Sequence, residues 1–142
     1  MRFWDSSAIV PLVVSEPESE YCLKALNADQ EMLVWCLSYL EVLSALSRRL
    51  REDVIDNSTF QEAKRRAKVI LERAYEIKAI EKVRSRAARL LEVHPLRAAD
   101  ACQLAASMVA TQEDPDRVFM MCFDRRLESA ARKEGFHVNP EA

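Results

Sequence analysis

The chain has 142 residues, 49% of them hydrophobic and 31% charged, with a formal net charge of −2. That length matches one domain, residues 1–142, able to bury a real core. The longest candidate apolar run, Ala8-Ile9-Val10-Pro11-Leu12-Val13-Val14, falls far short of the roughly 20 residues that a membrane span needs. The N-terminus begins in a strand-like run without a signal-peptide pattern, so a cytoplasmic protein with no membrane partner is expected.

Taken in order, Met1-Arg2-Phe3-Trp4 reads as a short strand ending at Asp5, and Ser6-Ser7 open a helix over about residues 7–14. Pro17 and Glu18 begin a second helix that runs to Ala28. Met32 to Cys36 is a buried strand, and Ser38 begins a helix whose apolar positions Tyr39, Val42, Leu43, Leu46 and Leu50 keep helical spacing. Ser58 and Gln61 form a capping-box pattern ahead of a long helix with Phe60, Ala63, Ala67, Ile70, Leu71 and Ala74 on its core stripe. A short strand is expected within 76–80 and a helix over 82–93. A helix of small residues opens after Pro95 and carries Asp100 in its first turn. Val118 to Phe123 is the strongest strand and ends at Asp124. Arg125 to Glu134 is a helix with Leu127, Ala130 and Ala131 inward, Gly135 is its C-terminal cap, and residues 136–138 add an edge strand. Strands alternating with helices predict a mainly parallel sheet covered on both faces.

Cys22, Cys36, Cys102 and Cys122 are scattered, without a C-x-x-C pair or a nearby histidine, which favours buried free thiols over zinc ligands or disulfides. His94 and His137 have no partner by spacing, and structural roles are expected for both. Gly135 is the only glycine, which excludes a Walker loop and a G-x-G-x-x-G fingerprint. Charge is uneven: residues 48–89 carry thirteen Lys or Arg against seven acids, and the remainder eight against sixteen. A basic half beside an acidic half suits a protein that holds metal with one part and a polyanion with the other; a solvated helical face explains the same numbers.

Asp5 and Asp124 each follow an apolar strand, and Glu41 and Asp100 each lie in the first turn of a helix. In a parallel sheet the points where strands hand over to helices share one edge, where such folds bind ligands. Each acid also has a capping explanation. Asp5 and Asp124 are candidate N-caps, Ser38-Tyr39-Leu40-Glu41 spells a capping box, and Asp100 complements a helix dipole. Capping does not account for the repulsion of four crowded carboxylates, which a divalent cation removes. Hard oxygen ligands suit Mg²⁺ or Mn²⁺. No organic nucleophile accompanies the acids, since Ser6 and Ser7 lack a histidine partner and the cysteines read as buried. The chemistry left is metal-activated hydrolysis of a phosphodiester, with nucleic acid as the natural substrate.

Asp5-Ser6-Ser7-Ala8, Glu41 within the helix from Ser38 to Leu46, Leu96-Arg97-Ala98-Ala99-Asp100-Ala101-Cys102-Gln103-Leu104-Ala105 and Phe123-Asp124-Arg125-Arg126-Leu127 resemble the motifs of PIN-domain ribonucleases. More closely, the chain resembles the VapC-type toxins of bacterial and archaeal toxin–antitoxin pairs. The resemblance implies a three-layer α/β/α fold, an endoribonuclease dependent on Mg²⁺ or Mn²⁺, a homodimer, and a cognate VapB-like antitoxin. It also implies that Asp5, Glu41, Asp100 and Asp124 form the metal cluster. Ser6, Arg97 and Arg125, with Arg126 beside them, are the candidate contacts to substrate phosphate. One departure concerns the position two residues before the last acid, where the family usually has Thr or Ser and this chain has Cys122. Two other classes compete with this reading. An aspartyl-phosphate phosphatase or receiver-type phospho-switch also places acids at strand ends, but a dehalogenase-like phosphatase wants a second Asp where the chain has Ser7, and a PIN-like binding protein without catalysis would not need all four acids.

Overall fold

The computed structural model describes residues 1–141. Among them the elements run β1 (Arg2–Trp4), α1 (Ser6–Val13), α2 (Ser19–Ala28), β2 (Met32–Trp35), α3 (Ser38–Arg51), α4 (Asn57–Glu72), β3 (Tyr75–Ile77), α5 (Ile80–Val93), α6 (Ala98–Thr111), β4 (Phe119–Met121), α7 (Arg125–Lys133) and β5 (His137–Val138). The five strands form one sheet in the order β3-β2-β1-β4-β5. Every pairing is parallel, with Phe3 opposite Leu33 on one side and Met120 on the other.

Successive strand residues face opposite ways, and each face carries its own core. Trp4, Met32, Val34 and Met121 pack with Ile9, Val42, Leu46, Ala63 and Ala67 of the α1–α4 layer. Phe3, Leu33, Trp35 and Met120 pack with Val83, Leu90, Leu104 and Leu127 of the α5–α7 layer. The result is the three-layer α/β/α architecture. No helix among the described residues is long and apolar enough to cross a membrane.

Most of the expected elements are present, with β1, β2 and β4 shorter than expected at their ends; the strand expected within 76–80 lies instead at Tyr75–Ile77, because Ile80 already opens α5. Gly135 does follow α7 with φ of +95°, and the N–H groups of Gly135 and Phe136 return to the carbonyls of Arg132 and Ala131. Both expected capping boxes are absent. At α4 the cap is Asp56, whose carboxylate accepts the Thr59 N–H at 2.7 Å, two residues ahead of any bond that Ser58 could make. At α3 the cap position is Leu37, and no side chain bonds the first turn. Ser38 is instead fully buried against α6.

Topology directs attention to one place. From β1 the chain steps outward through β2 to β3, then crosses back to β4 on the other side of β1. The strand order therefore reverses between β1 and β4. In open parallel sheets the crevice beyond the carboxyl ends of the strands at such a reversal is where ligands bind. Asp5 and Asp124 are the residues that flank it.

Candidate functional site

The crevice is a cleft of about 630 Å³ whose lining includes Asp5, Ser6, Glu41, Asp100 and Asp124. All four acids singled out in the sequence thus share one cavity. Among the described residues no three Asp, Glu, His or Cys groups stand together as a ready cage for an ion.

Each carboxylate uses one oxygen to hold the chain in place. Asp5 Oδ2 accepts the backbone N–H of Ser7 at 3.1 Å and its hydroxyl at 2.5 Å. Glu41 Oε2 accepts the Gln103 amide at 2.6 Å. Asp100 Oδ2 accepts the Arg97 N–H at 3.1 Å, and Asp124 Oδ1 caps α7 by accepting the Leu127 N–H at 2.9 Å. The second oxygen of every one has no hydrogen bond among the described residues. Capping and ligation are therefore compatible for Asp5, Asp100 and Asp124, because the cap occupies one oxygen and leaves the other. For Glu41 capping is excluded, since its bond goes to α6 and not to its own helix.

The electrostatics record the crowding. Burial pushes the Asp5 carboxyl up to about 6 against the pull of its bonds to Ser7, and the charge of Asp124 adds to the rise. Glu41 is pushed up to about 7, first by burial and then by the charge of Asp5, with Asp100 contributing and the Gln103 amide opposing. Asp100 is raised by burial, and Asp124 again adds to it. Protonation or a cation would relieve this repulsion. Four hard donors, each with an unengaged oxygen, fit a divalent ion of the Mg²⁺ or Mn²⁺ kind.

Three features of the support had no counterpart in the sequence reading. Gln103 is fully buried, bridges Glu41 and Ser38, and leaves its Oε1 without a partner among the described residues. Ser7 holds Asp5 and also accepts the Phe123 N–H at 2.8 Å, which ties the end of β1 to the segment after β4. Asn139, just past β5, exchanges hydrogen bonds with the backbone of Cys122 in the manner of another strand residue. A lone polar residue on an apolar helix was the available signal for Gln103. The other two depend on pairing across the sheet and leave no local pattern. Cys122 contributes little to Asp5, because its Sγ stands 3.8 Å from Asp5 Oδ2 while the Ser7 hydroxyl makes the short contact.

The remaining candidates fall around the rim. Ser6 lines the cleft, and exposed Arg97, Arg125 and Arg126 surround a smaller adjoining pocket of about 280 Å³ that includes Asp100 and Asp124. The thiols are all free, with Cys22 and Cys122 buried but Cys36 and Cys102 only partly so. His94 pairs with Glu134 at 2.6 Å and His137 with Asp116 at 3.3 Å, both away from the cleft lining.

A family model for the PIN domain matches residues 2–133. The chain belongs to the PIN-domain family. Comparison with curated protein sequences gives no match. Among solved structures, this PIN domain is similar to a toxin–antitoxin complex from Klebsiella pneumoniae at 14% identity, with 87% of each chain covered and a TM-score of 0.62. It is also similar to FitAcB from Neisseria gonorrhoeae at 13% identity, covering 97% of this chain and 96% of that one with a TM-score of 0.65. At such identities the likeness is one of fold.

Proposed function

We propose that this PIN domain is a divalent-metal-dependent endoribonuclease and the toxin of a VapC-type toxin–antitoxin pair. The observation that carries the reading is the set of four carboxylates around one cleft, each with one oxygen anchored and one unengaged. Asp5, Glu41, Asp100 and Asp124 would hold Mg²⁺ or Mn²⁺, which when bound supplies an activated water and charge stabilisation at a phosphodiester.

The chain's own groups do the positioning. Ser7 locks the Asp5 carboxylate, and Gln103 holds that of Glu41 toward the cleft. Asp100 and Asp124 stand in the first turn and at the cap of α6 and α7, so the N-terminal ends of both helices add partial positive charge where a phosphate would lie. Ser6, Arg97 and Arg125 are the groups on the rim with donors for phosphate oxygens. A cognate VapB-like antitoxin, a homodimer and a cytoplasmic location belong to the same reading. One of the solved structures that shares the fold is a toxin–antitoxin complex, which supports the inhibitor.

The test is cleavage of RNA by purified protein freed of any partner. Mg²⁺ or Mn²⁺ should support cleavage, Ca²⁺ should support it poorly because of its looser coordination, and EDTA should abolish it. Robust cleavage in EDTA would overturn the reading.

A further inference from the structure

The segment that carries Asp124 leaves the sheet without a strand beside it. β5 pairs with β4 only at His137 and Val138, and the last ladder bond runs from the Asn139 N–H to the Met120 carbonyl at 2.8 Å. A longer β5 would meet the N–H and C=O of Cys122 with its own peptide groups. Asn139 instead turns away with φ of +49°, and Pro140 after it has no N–H to give. The Asn139 carboxamide takes over both bonds. Its Oδ1 accepts the Cys122 N–H at 2.9 Å, and its Nδ2 donates to the Cys122 carbonyl at 2.5 Å. Cys122 is buried, so each of these backbone groups would be costly to leave unpaired.

One residue further on, Phe123 is held from two sides. Its N–H donates to Ser7 Oγ at 2.8 Å, and its ring stands edge-on to that of Tyr21 on α2, with centroids 6.0 Å apart. Tyr21 also donates its hydroxyl to the Pro140 carbonyl at 2.5 Å. Residues 139–140 thus lie as a strap over the turn from β4 to α7, gripping Cys122 directly and joined to Phe123 through Tyr21. Asp124 is the next residue. Its bond to the Leu127 N–H orients the carboxylate on its own helix and does not relate it to Asp5.

We propose that Asn139 and Tyr21 are positioning residues for Asp124. By fixing the two residues before it they set where the unengaged oxygen of Asp124 stands in the cleft. Asp5 meets the same turn through Ser7, which bonds both its carboxylate and the Phe123 N–H, so the strap and Ser7 hold the two acids in one frame. The inference rests on the metal-site reading and adds to it residues from α2 and the segment after β5, outside the motifs that carry the acids.

The test combines Mn²⁺ binding by calorimetry, amide hydrogen exchange in EDTA and steady-state cleavage of an unstructured RNA. Asn139→Gly keeps the left-handed backbone without strain and removes only the carboxamide. It should speed exchange of the Cys122 and Phe123 amides while α5 and α6 keep parental protection. Mn²⁺ affinity should fall about tenfold and turnover with it, with KM for RNA near parental. In an Asp124→Asn background the same change should cost little further affinity, because the ligand through which it acts is already gone. Tyr21→Phe keeps the ring against Phe123 and should restore most of what Tyr21→Ala loses. Parental affinity and exchange in Asn139→Gly would overturn the assignment. So would an equal loss of affinity with and without Asp124, which would make Asn139 a general prop of the fold. A parent that binds Mn²⁺ with this dependence on Asn139 but cuts no RNA would sustain the strap and overturn the ribonuclease reading. A parent that binds no Mn²⁺ would overturn both.

Discussion

Two clusters of charge dominate this PIN domain, and they behave oppositely. On α4, Arg65 and Arg66 fork onto Glu62 at 2.7 and 3.0 Å, and all three side chains are open to solvent. Those pairs hold the Glu62 carboxyl down at about 2. In the cleft, buried Asp5 and half-buried Glu41 stand among other acids and rise to about 6 and 7. The same chemical group is satisfied by cations in one place and crowded by anions in the other. Satisfied charge makes a stable surface, whereas unsatisfied charge marks a place that awaits a ligand. The contrast also answers the uneven charge of the sequence. Of the basic stretch 48–89, only Arg48 and Arg49 line the cleft, while Lys64, Arg65, Arg66 and Lys68 are a solvated face of α4.

The sharpest way to separate the two clusters is to neutralise one acid in each. Asp100→Asn and Asp5→Asn should lose cleavage by more than the ~100-fold typical of losing a supporting group at a metal site. Metal-free, both should be as stable as the parent or more so, because a repelling charge has gone. Excess Mg²⁺ should stabilise the parent by about 2.7 kcal/mol at a hundredfold excess over its Kd, and the variants should lose most of that gain. Glu62→Gln on α4 should keep parental cleavage and change stability by no more than about 0.5 kcal/mol, the scale of an exposed pair. Thermal melts with EDTA and with Mg²⁺, beside the cleavage assay, read all of this. A parent whose melting curve ignores both Mg²⁺ and Mn²⁺ would remove the distinction.

The pH dependence follows from the same contrast. In the folded, metal-free protein Asp5 and Glu41 hold protons to higher pH than they would in the unfolded chain. Between about pH 4 and 7 the folded state therefore binds more protons, and stability must fall as pH rises through that window. At about 1.4 kcal/mol per pKa unit the effect is on the order of a few kcal/mol. Denaturant melts in EDTA from pH 4.5 to 8 should show the fall, levelling off above pH 7.5. Mg²⁺ competes with the protons, so it should flatten the profile, and cleavage should rise across the same range. Stability that climbs from pH 4.5 to 7 would mean that the carboxylates are not crowded.

The acids of this cleft were legible in the sequence because each stands where an apolar strand stops or a helix starts, and parallel topology sends all such points to one edge. The α5–α7 layer was equally legible, down to Leu127, Ala130 and Ala131 on the inward face of α7. What failed was local bonding. Ser38 and Glu41 have the right spacing for a capping box, but Gln103 reaches both from α6 and outcompetes the backbone. Ser58 and Gln61 lost to Asp56, which stands two residues earlier and reaches Thr59 first. A capping pattern names donors and acceptors without saying which of them a distant helix will claim. Gln103 is the clearest case, and its removal is a milder test of the cleft. Gln103→Leu should cut cleavage about 10–100-fold by freeing Glu41. It should change metal-free stability little, since the orphaned Oε1 disappears along with the two bonds. Mn²⁺ affinity should fall in parallel with cleavage, and unchanged affinity would show that Glu41 needs no such support.

The smallest expected effect lies at Cys122, where the resemblance to PIN-domain ribonucleases leads one to expect Thr or Ser. If a hydroxyl were needed there to orient Asp5, this protein would be handicapped and Cys122→Ser would improve it. The geometry argues otherwise. Ser7 already donates to Asp5 Oδ2 at 2.5 Å and is itself fixed by the Phe123 N–H, so the work of orientation is done from α1. The thiol at 3.8 Å fills space beside that bond and is fully buried, with its own ionisation pushed far up by burial and by Asp5. Serine is nearly isosteric and would find acceptors in Asp5 and in the Asp124 carbonyl, which the sulfur already faces at 3.5 Å. Cys122→Ser should therefore change cleavage by less than about threefold and stability by less than about 1 kcal/mol, the net worth of one hydrogen bond. Ser7→Ala removes the short bond and should lower cleavage at least about tenfold. Cleavage rates and melts for the two variants side by side decide which residue supports Asp5. A tenfold gain in Cys122→Ser, with Ser7→Ala near parental, would move that role from α1 to the end of β4.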